Sequence, residues 1–443
     1  MKEWVQLKTI KIIGAGLAGS ESALQLADKG WKVKLFEMRD KKQTPAHKTN
    51  LCAELVCSNS LKSTLLSTAS GLLKKELSLF DCKLLPLAEK TSVPAGNALA
   101  VDRQLFSELV QQKIIEHPNI ELINEEITKL DDELTILATG PLSSDSITEE
   151  LLKIIDDSQL YFFDAIAPVV YTDTINMNTV YSKSRYSDEN SDYLNCPFNK
   201  DEYLRFVEAL NNGEKHEAKE FENDLFQTPM FKFYENCIPI EELARRGVDT
   251  LRYGVMRPVG LDDPRTGKRP YAIIQLRIEN HNKTTYNLVG CQTMLKYGAQ
   301  EEIFRLIPGL ENAEFARLGS IHRNTYINSP EICNPNLSLK NKSNIFVAGQ
   351  LSGVEGYIES IFSGLLVANI IDNNLSCLPE TTMMGQLWRY LITENKHFLP
   401  VNANFGLIPA LSEKFGKKDR KSAYSIRAVE DLTNFINSYK REM

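Results

Sequence analysis

An α/β fold of Rossmann type, carrying an inserted mixed α/β domain, is what two glycine-rich junctions and a change of texture between them predict. The first junction is Lys11–Glu37. It reads strand, tight turn, helix, strand. Apolar Ile12 and Ile13 lead to Gly14, Gly16 and Gly19 in G-x-G-x-x-G spacing, then to a helix carrying Leu24 and Leu26, then to Val33–Phe36 and the acid Glu37. The second junction lies near the far end: the apolar run Asn344–Gln350 carries Gly349, and Leu351–Tyr357 leads into a helix of small and apolar residues. Between them, from about Asp164 to about Gly290, Tyr, Asn, Asp and Lys are dense and no βαβ rhythm survives. One such junction suits a simple NAD protein; two predict an FAD-binding, glutathione-reductase-like chain. The expected division is 1–164 for the first part of the FAD-binding domain, 165–316 for an inserted substrate- or RNA-binding domain, and 317–443 for the second part with C-terminal helices.

Each element has a local reason. Gly14 turns the chain, Gly16 lets the backbone approach a pyrophosphate, and Gly19 lets the helix pack closely on the strand, with Ala15, Leu17 and Ala18 completing the fingerprint. The N–H groups at that helix start face the phosphates. Glu37, about twenty residues on, suits the two ribose hydroxyls of an adenosine, with Arg39 beside it. A polar, turn-rich segment follows through His47, then the partly apolar Leu51–Lys62 and a helical pattern over Leu65–Leu79. Val93–Arg103 reads as an extended segment entering a helix, with Asp102 as N-cap. Ile120–Ile123 and Leu134–Leu137 read as short strands. The second ends in Ala138, Thr139 and Gly140, a junction that flanks a bound dinucleotide. Helical pattern returns from Met383 to Met443.

Composition bounds the rest. The 443 residues are 42% hydrophobic and 25% charged, ordinary globular values that allow a large core. No apolar run reaches the ~18 residues of a membrane span, and the N-terminus lacks a secretory pattern. The eight cysteines show no C-x-x-C and no zinc spacing, so free thiols in a reducing cytoplasm and no metal are expected. Net charge is −7, yet Arg245–Arg277 holds eight Arg/Lys against three Asp, a local +5. That stretch reads either as a solvated loop or as a phosphate-contacting patch, with Arg265, Lys268 and Arg269 as the candidates.

Several blocks together resemble one family. They are Gly14–Glu21, Gln43–His47, Glu54–Leu61 around Cys57, Val93–Gly96, Ala98–Arg103, Tyr193–Pro197, Gly267–Ala272, His322–Thr325 and Gly353–Tyr357, spread over about residues 10–430. The chain is similar to the folate- and FAD-dependent tRNA uracil-5-methyltransferases. The resemblance implies 5,10-methylenetetrahydrofolate as one-carbon donor, FAD as reductant, NADPH or NADH to reload it, and 5-methyluridine in RNA as product. It places two cysteines in the chemistry: Cys237 as the nucleophile at uracil C6 and Cys57 at C5. The reverse assignment stays open. A thiolate suits that addition, because C5 becomes nucleophilic only after C6 is attacked. Asp102, Arg103, Gly349, Gln350, Glu355, Gly356 and Tyr357 join the cofactor set; His47, His322 and Arg323 join the substrate set.

Bland readings stand beside these. A cysteine is more often a small buried hydrophobe than a nucleophile, which covers Cys52, Cys82, Cys196, Cys291, Cys333 and Cys377. His47 and His322 are as well explained by structural hydrogen bonds, and Tyr357 by packing. The chain also departs from the family pattern at Gly254-Val-Met-Arg257-Pro, at Ile361 and Phe362, and at Asn97. These departures spare the cysteine blocks but leave the RNA target open, with a ribosomal RNA uridine as the alternative to tRNA. A small-molecule FAD oxidoreductase and a non-catalytic RNA-binding flavoprotein are the other readings. Oligomeric state is not legible.

Overall fold

Among the described residues, six strands form the sheet at the centre of the molecule. Their order is Ser338–Leu339, Lys342–Val347, Thr135–Leu137, Thr9–Ile13, Lys32–Phe36, Ile120–Ile123. All neighbours run parallel except the Ser338–Leu339 edge. Parallel strands covered on both faces must be apolar on both. Ile12, Leu35 and Ile136 accordingly join the core on one side, while Ile13, Leu137, Ile345 and Val347 join the core on the other. The structure, a computed structural model, describes residues 8–44, 46–155, 159–165, 167–185, 192–215, 238–319, 321–373, 375–395, 398–416 and 419–442.

Both glycine junctions form as the sequence predicts. After Ile13, Gly14 takes φ +99° and the helix Leu17–Asp28 begins. A Cβ at Gly14 would stand 2.5 Å from the Ala138 carbonyl oxygen, and one at Gly19 only 1.9 Å from that of Gly14. After Val347 a single 3-10 turn, Gly349–Ser352, precedes the long helix Tyr357–Asn373. The two junction helices pack on each other at a small-residue contact. Ser22 Oγ donates to the Gly364 carbonyl at 2.9 Å, and a Cβ on Gly364 would clash with the Ala18 carbonyl oxygen at 2.2 Å. Trp31 Nε1 donates to Asp372 at 2.8 Å, tying the first helix's exit to the far end of the second. The helices Ala69–Leu79, Met383–Ile392 and Arg420–Glu442 complete this core.

The second sheet is antiparallel throughout, in the order Tyr181–Ser182, Tyr193–Phe198, Ala272–Ile278, Thr285–Leu288, Val169–Tyr171, Phe315–Arg317. The missing βαβ rhythm is thereby explained: antiparallel neighbours need no crossover helix. Its main covering helix, Lys200–Asn212, starts in a reciprocal capping box between Asn199 and Glu202 and buries Tyr203, Phe206 and Leu210. The chain enters this region through Gln159–Ala165 and leaves it through Ile321–Ile327. Those two strands pair antiparallel, Ile327 against Gln159 and Ile321 against Ala165.

Candidate active site

A cleft opens at the carboxyl ends of the parallel strands, the position where open α/β sheets bind ligands. Gly14, Gly16, Leu17 and Ala18 form one wall; Glu37, Arg39 and His47 another; Ala138, Thr139 and Gly140 a third. Gly349, Gln350 and Tyr357 reach it from the second junction. Ala15 acts through its backbone: its N–H donates to Glu37 Oε2 at 3.0 Å. Glu37 also accepts from Arg39 Nε at 2.8 Å and Nη2 at 3.0 Å. Burial alone would raise the Glu37 carboxyl, but the Arg39 guanidinium outweighs it and holds the acid below the ordinary range.

Two observations show that this cleft fits a dinucleotide. A Cβ built at Gly16 meets no protein atom within 4 Å, so nothing in the protein's own packing demands a glycine there. The space in front of it lies at a helix N-terminus, where unsatisfied N–H groups suit phosphate. Arg39 Nη1, at the Glu37 end, is buried without a hydrogen-bond partner, 3.5 Å from Glu54. A ligand oxygen would satisfy it.

The loop carrying Cys57 lies beside the cleft, next to the lining residue Val56. It has no regular structure of its own, and side chains distant in sequence satisfy its backbone. Tyr357 Oη accepts from the Cys57 N–H at 2.7 Å and the Ser58 N–H at 3.1 Å. Arg103 Nη1 donates to the Leu55 carbonyl at 3.0 Å, and Arg317 donates to those of Val56 at 3.0 Å and Cys57 at 3.2 Å. Asn59 is held by Arg277 Nε at 2.9 Å. The other cysteines divide from Cys57 by burial. Burial pushes the thiols of Cys52 and Cys333 up to about 12, and raises those of Cys82, Cys196 and Cys291 too. Among the described cysteines only Cys57 and the exposed Cys377 have access to the surface.

Several expectations change. Asp102 caps the helix Arg103–Glu116, accepting from Leu105 N at 3.2 Å, and Arg103 pairs with Glu279 at 2.7 Å; neither lines the cleft. Arg103 supports the Cys57 loop from behind, through the Leu55 carbonyl. Gly19 serves helix packing. Glu355 bonds to Gln350 and, with Gly356, stands outside the cleft wall. His47 does line it, with Nδ1 2.6 Å from Thr44 Oγ1. Arg265 is exposed but already partnered: it pairs with Asp263 and donates to the carbonyls of Asn178 and Thr179 at 2.6 and 2.9 Å. Arg269 pairs with Asp262 at 2.7 Å, while Lys268 is exposed. His322 and Arg323 lie on the Ile321–Ile327 strand, opposite Asp164 and Phe163. Cys237 falls outside the described residues. Sequence reading missed Thr44, Glu54, Glu125 and Ser360 on the cleft wall, and Arg317 and Glu279 behind the loop. Thr44 and Glu54 sit inside blocks already marked by the resemblance. For Arg317 no local signal existed.

Fold and cleft define a protein of the Rossmann-type FAD-binding class. Across 98% of this chain and 74% of the other, the structure superposes on Aquifex aeolicus GidA with a TM-score of 0.68 at 14% identity, a likeness of fold. The family model for glucose inhibited division protein A matches residues 9–377. The chain is 49% identical over 436 residues to the methylenetetrahydrofolate–tRNA-(uracil-5-)-methyltransferase TrmFO of Halalkalibacterium halodurans, covering 96% of this chain and 98% of that one. It is 48% identical to the Bacillus subtilis protein of the same name, with the same coverages. It belongs to the TrmFO family of methylenetetrahydrofolate–tRNA-(uracil-5-)-methyltransferases.

Proposed function

We propose that the chain methylates C5 of a uridine in RNA, in the tRNA T-loop. Methylenetetrahydrofolate gives the one-carbon unit, FAD occupies the cleft, and NADPH or NADH is the reductant. The observation that carries this reading is the thiol-bearing loop fixed to the cleft wall, with the Cys57 N–H on Tyr357 Oη at 2.7 Å. Full-length similarity to proteins named for that reaction supports it. Within the cleft, the Gly14–Gly16 backbone and the Leu17–Asp28 helix start would hold the pyrophosphate, and Glu37 with Arg39 the adenosine end. Bound FAD supplies the electrons that convert a one-carbon unit on C5 into a methyl group.

The chain's own residues do the rest. The Cys237 thiolate adds to uracil C6, and the electron pair released into the ring makes C5 the nucleophile for the one-carbon unit. Cys57 takes the C5 proton, and the C6–S bond then breaks to restore the ring and the thiolate. Burial raises the Tyr357 phenol above its ordinary range, so Tyr357 stays neutral and keeps its grip on the loop amides. Lys268 on the second-sheet side is read as a phosphate contact, and His47, His322 and Arg323 as substrate contacts. Such a protein works where RNA is made, in the cytoplasm; among the described residues no helix is long and apolar enough to cross a membrane.

RNA carrying 5-fluorouridine at the target position tests the reading. Fluorine cannot leave C5 as a proton does, so a covalent protein–RNA adduct is expected. Cys237→Ala should give neither adduct nor product, while Cys57→Ala loses product but still adds at C6. The opposite pattern reverses the two roles. Normal methylation by the double variant removes the thiolate mechanism. Position-mapped mass spectrometry of tRNA and ribosomal RNA fixes the target.

A further inference from the structure

The second sheet sends one side chain across to the Cys57 loop. Arg317 ends the edge strand Phe315–Arg317 and donates Nη1 to the Val56 carbonyl at 3.0 Å and Nη2 to the Cys57 carbonyl at 3.2 Å. Its Nε is buried with no hydrogen-bond partner, and among the described residues no carboxylate lies within ion-pair distance of it. The neighbouring acid Glu279 is already paired with Arg103 at 2.7 Å. Burial first, and then the Arg103 charge, lower Arg317 to about 10. An unpaired guanidinium in such a place is unfavourable to folding, and buried charges of this kind concentrate at working sites. A fork that reaches two successive carbonyls fixes the two peptide planes that flank the residue between them, which a single-point ammonium cannot do.

We infer that Arg317 is a positioning residue for Cys57, fixing the peptide that carries the thiol so that the second sheet and the cleft share one geometry. The Tyr357 phenol holds the N–H sides of the two peptides that flank Cys57, those of Cys57 and Ser58, and Arg317 holds their C=O sides, those of Val56 and Cys57, one from each half of the molecule. Loosening the fork should therefore free the loop without emptying the cleft. This rests on Cys57 being a reacting group, but its first readout does not.

In the flavin-loaded full chain, Arg317→Lys and Arg317→Gln are compared with wild type by hydrogen exchange, flavin content and RNA methylation. Expected is exchange at least about tenfold faster in peptides spanning residues 52–60, with peptides of the parallel sheet unchanged and flavin retained. Methylation should lose about tenfold or more in kcat, with the KM for RNA within about twofold, and the lysine variant should not rescue it. Unchanged exchange over 52–60 in both folded variants overturns the inference. So does a loss of protection spread over the whole chain, or failure of both variants to fold, since either makes Arg317 a general structural residue. Faster exchange confined to the loop with kcat unchanged rejects the functional role and leaves only the contact. If wild type itself methylates no uridine, the proposed function fails while the exchange result still decides the positioning.

Discussion

At Gly16 a side chain would meet no protein atom within 4 Å, whereas Gly14 and Gly19 are surrounded by backbone at 2.5 and 1.9 Å. The three glycines of one fingerprint thus answer to different demands: two to the fold, one to a ligand. Gly16→Val is expected to fold with the melting midpoint of flavin-free wild type and to lose FAD. The branched side chain occupies the space in front of the Leu17–Asp28 helix start. A loss of two orders of magnitude in affinity corresponds to about 2.8 kcal/mol. Flavin absorbance of the purified variant and its titration with added FAD check this. Full occupancy would move the phosphate site elsewhere. The same residue scale shows why the fingerprint was legible and Arg103 was not. A tight turn and a close helix approach are local backbone requirements, written in adjacent residues. Arg103 follows a strand as a cofactor contact would, but its ion-pair partner Glu279 lies 176 residues away.

Elements meet through buried carboxylates that cap one another's helices. Glu76, fully buried in Ala69–Leu79, accepts from the N–H groups of Met383 at 2.8 Å and Met384 at 2.7 Å, the start of Met383–Ile392. Sequence periodicity placed these helices but could not pair them, because the pairing depends on one acid meeting amides 307 residues further on. The antiparallel sheet was likewise legible only as a texture without βαβ rhythm. Its register rests on contacts such as Leu194 with Leu276, which no local pattern encodes. Glu76→Ala should cost about 2–4 kcal/mol by leaving two buried N–H groups unpaired. Burial pushes the Glu76 carboxyl from 4.5 up to about 8, against the opposing pull of the two amides. The native chain then keeps a proton that the unfolded chain releases, so this group's stabilising contribution falls as pH rises from about 4.5 to about 8 and levels off above. Denaturant midpoints of wild type and Glu76→Gln across that range check it. The glutamine variant, though less stable because its amide faces an N–H, should lack that part of the slope. Parallel profiles would show that Glu76 is charged throughout.

On the scale of the whole molecule, a chain of net charge −7 must meet a polyanion through local charge. The +5 stretch Arg245–Arg277 is smaller in effect than its sequence count suggests, because the fold commits most of it. Arg245 pairs with Glu242, Arg265 with Asp263 and Arg269 with Asp262. Arg277 holds Asn59, and Arg252 stacks over Tyr271 at 4.2 Å. Arg246, Arg257 and Lys268 are exposed, and among the described residues no carboxylate pairs with them. Tyr253, on the same stretch of chain, is 73% exposed, a flat face of the kind on which an unpaired base stacks. Replacing Arg246, Arg257 and Lys268 together by alanine should weaken RNA binding and leave flavin content unchanged. Each lost phosphate contact should also flatten the log–log salt dependence by roughly 0.7–0.9. Replacing Arg265 and Arg269 should leave the slope close to wild type, since each removes a cation already neutralised by its aspartate. Binding isotherms over a salt series distinguish the two sets. A flatter slope for the Arg265/Arg269 pair alone would mean that those ion pairs open when RNA binds and hand their cations to phosphate, and it would move the RNA away from Arg246, Arg257 and the turn around Tyr253.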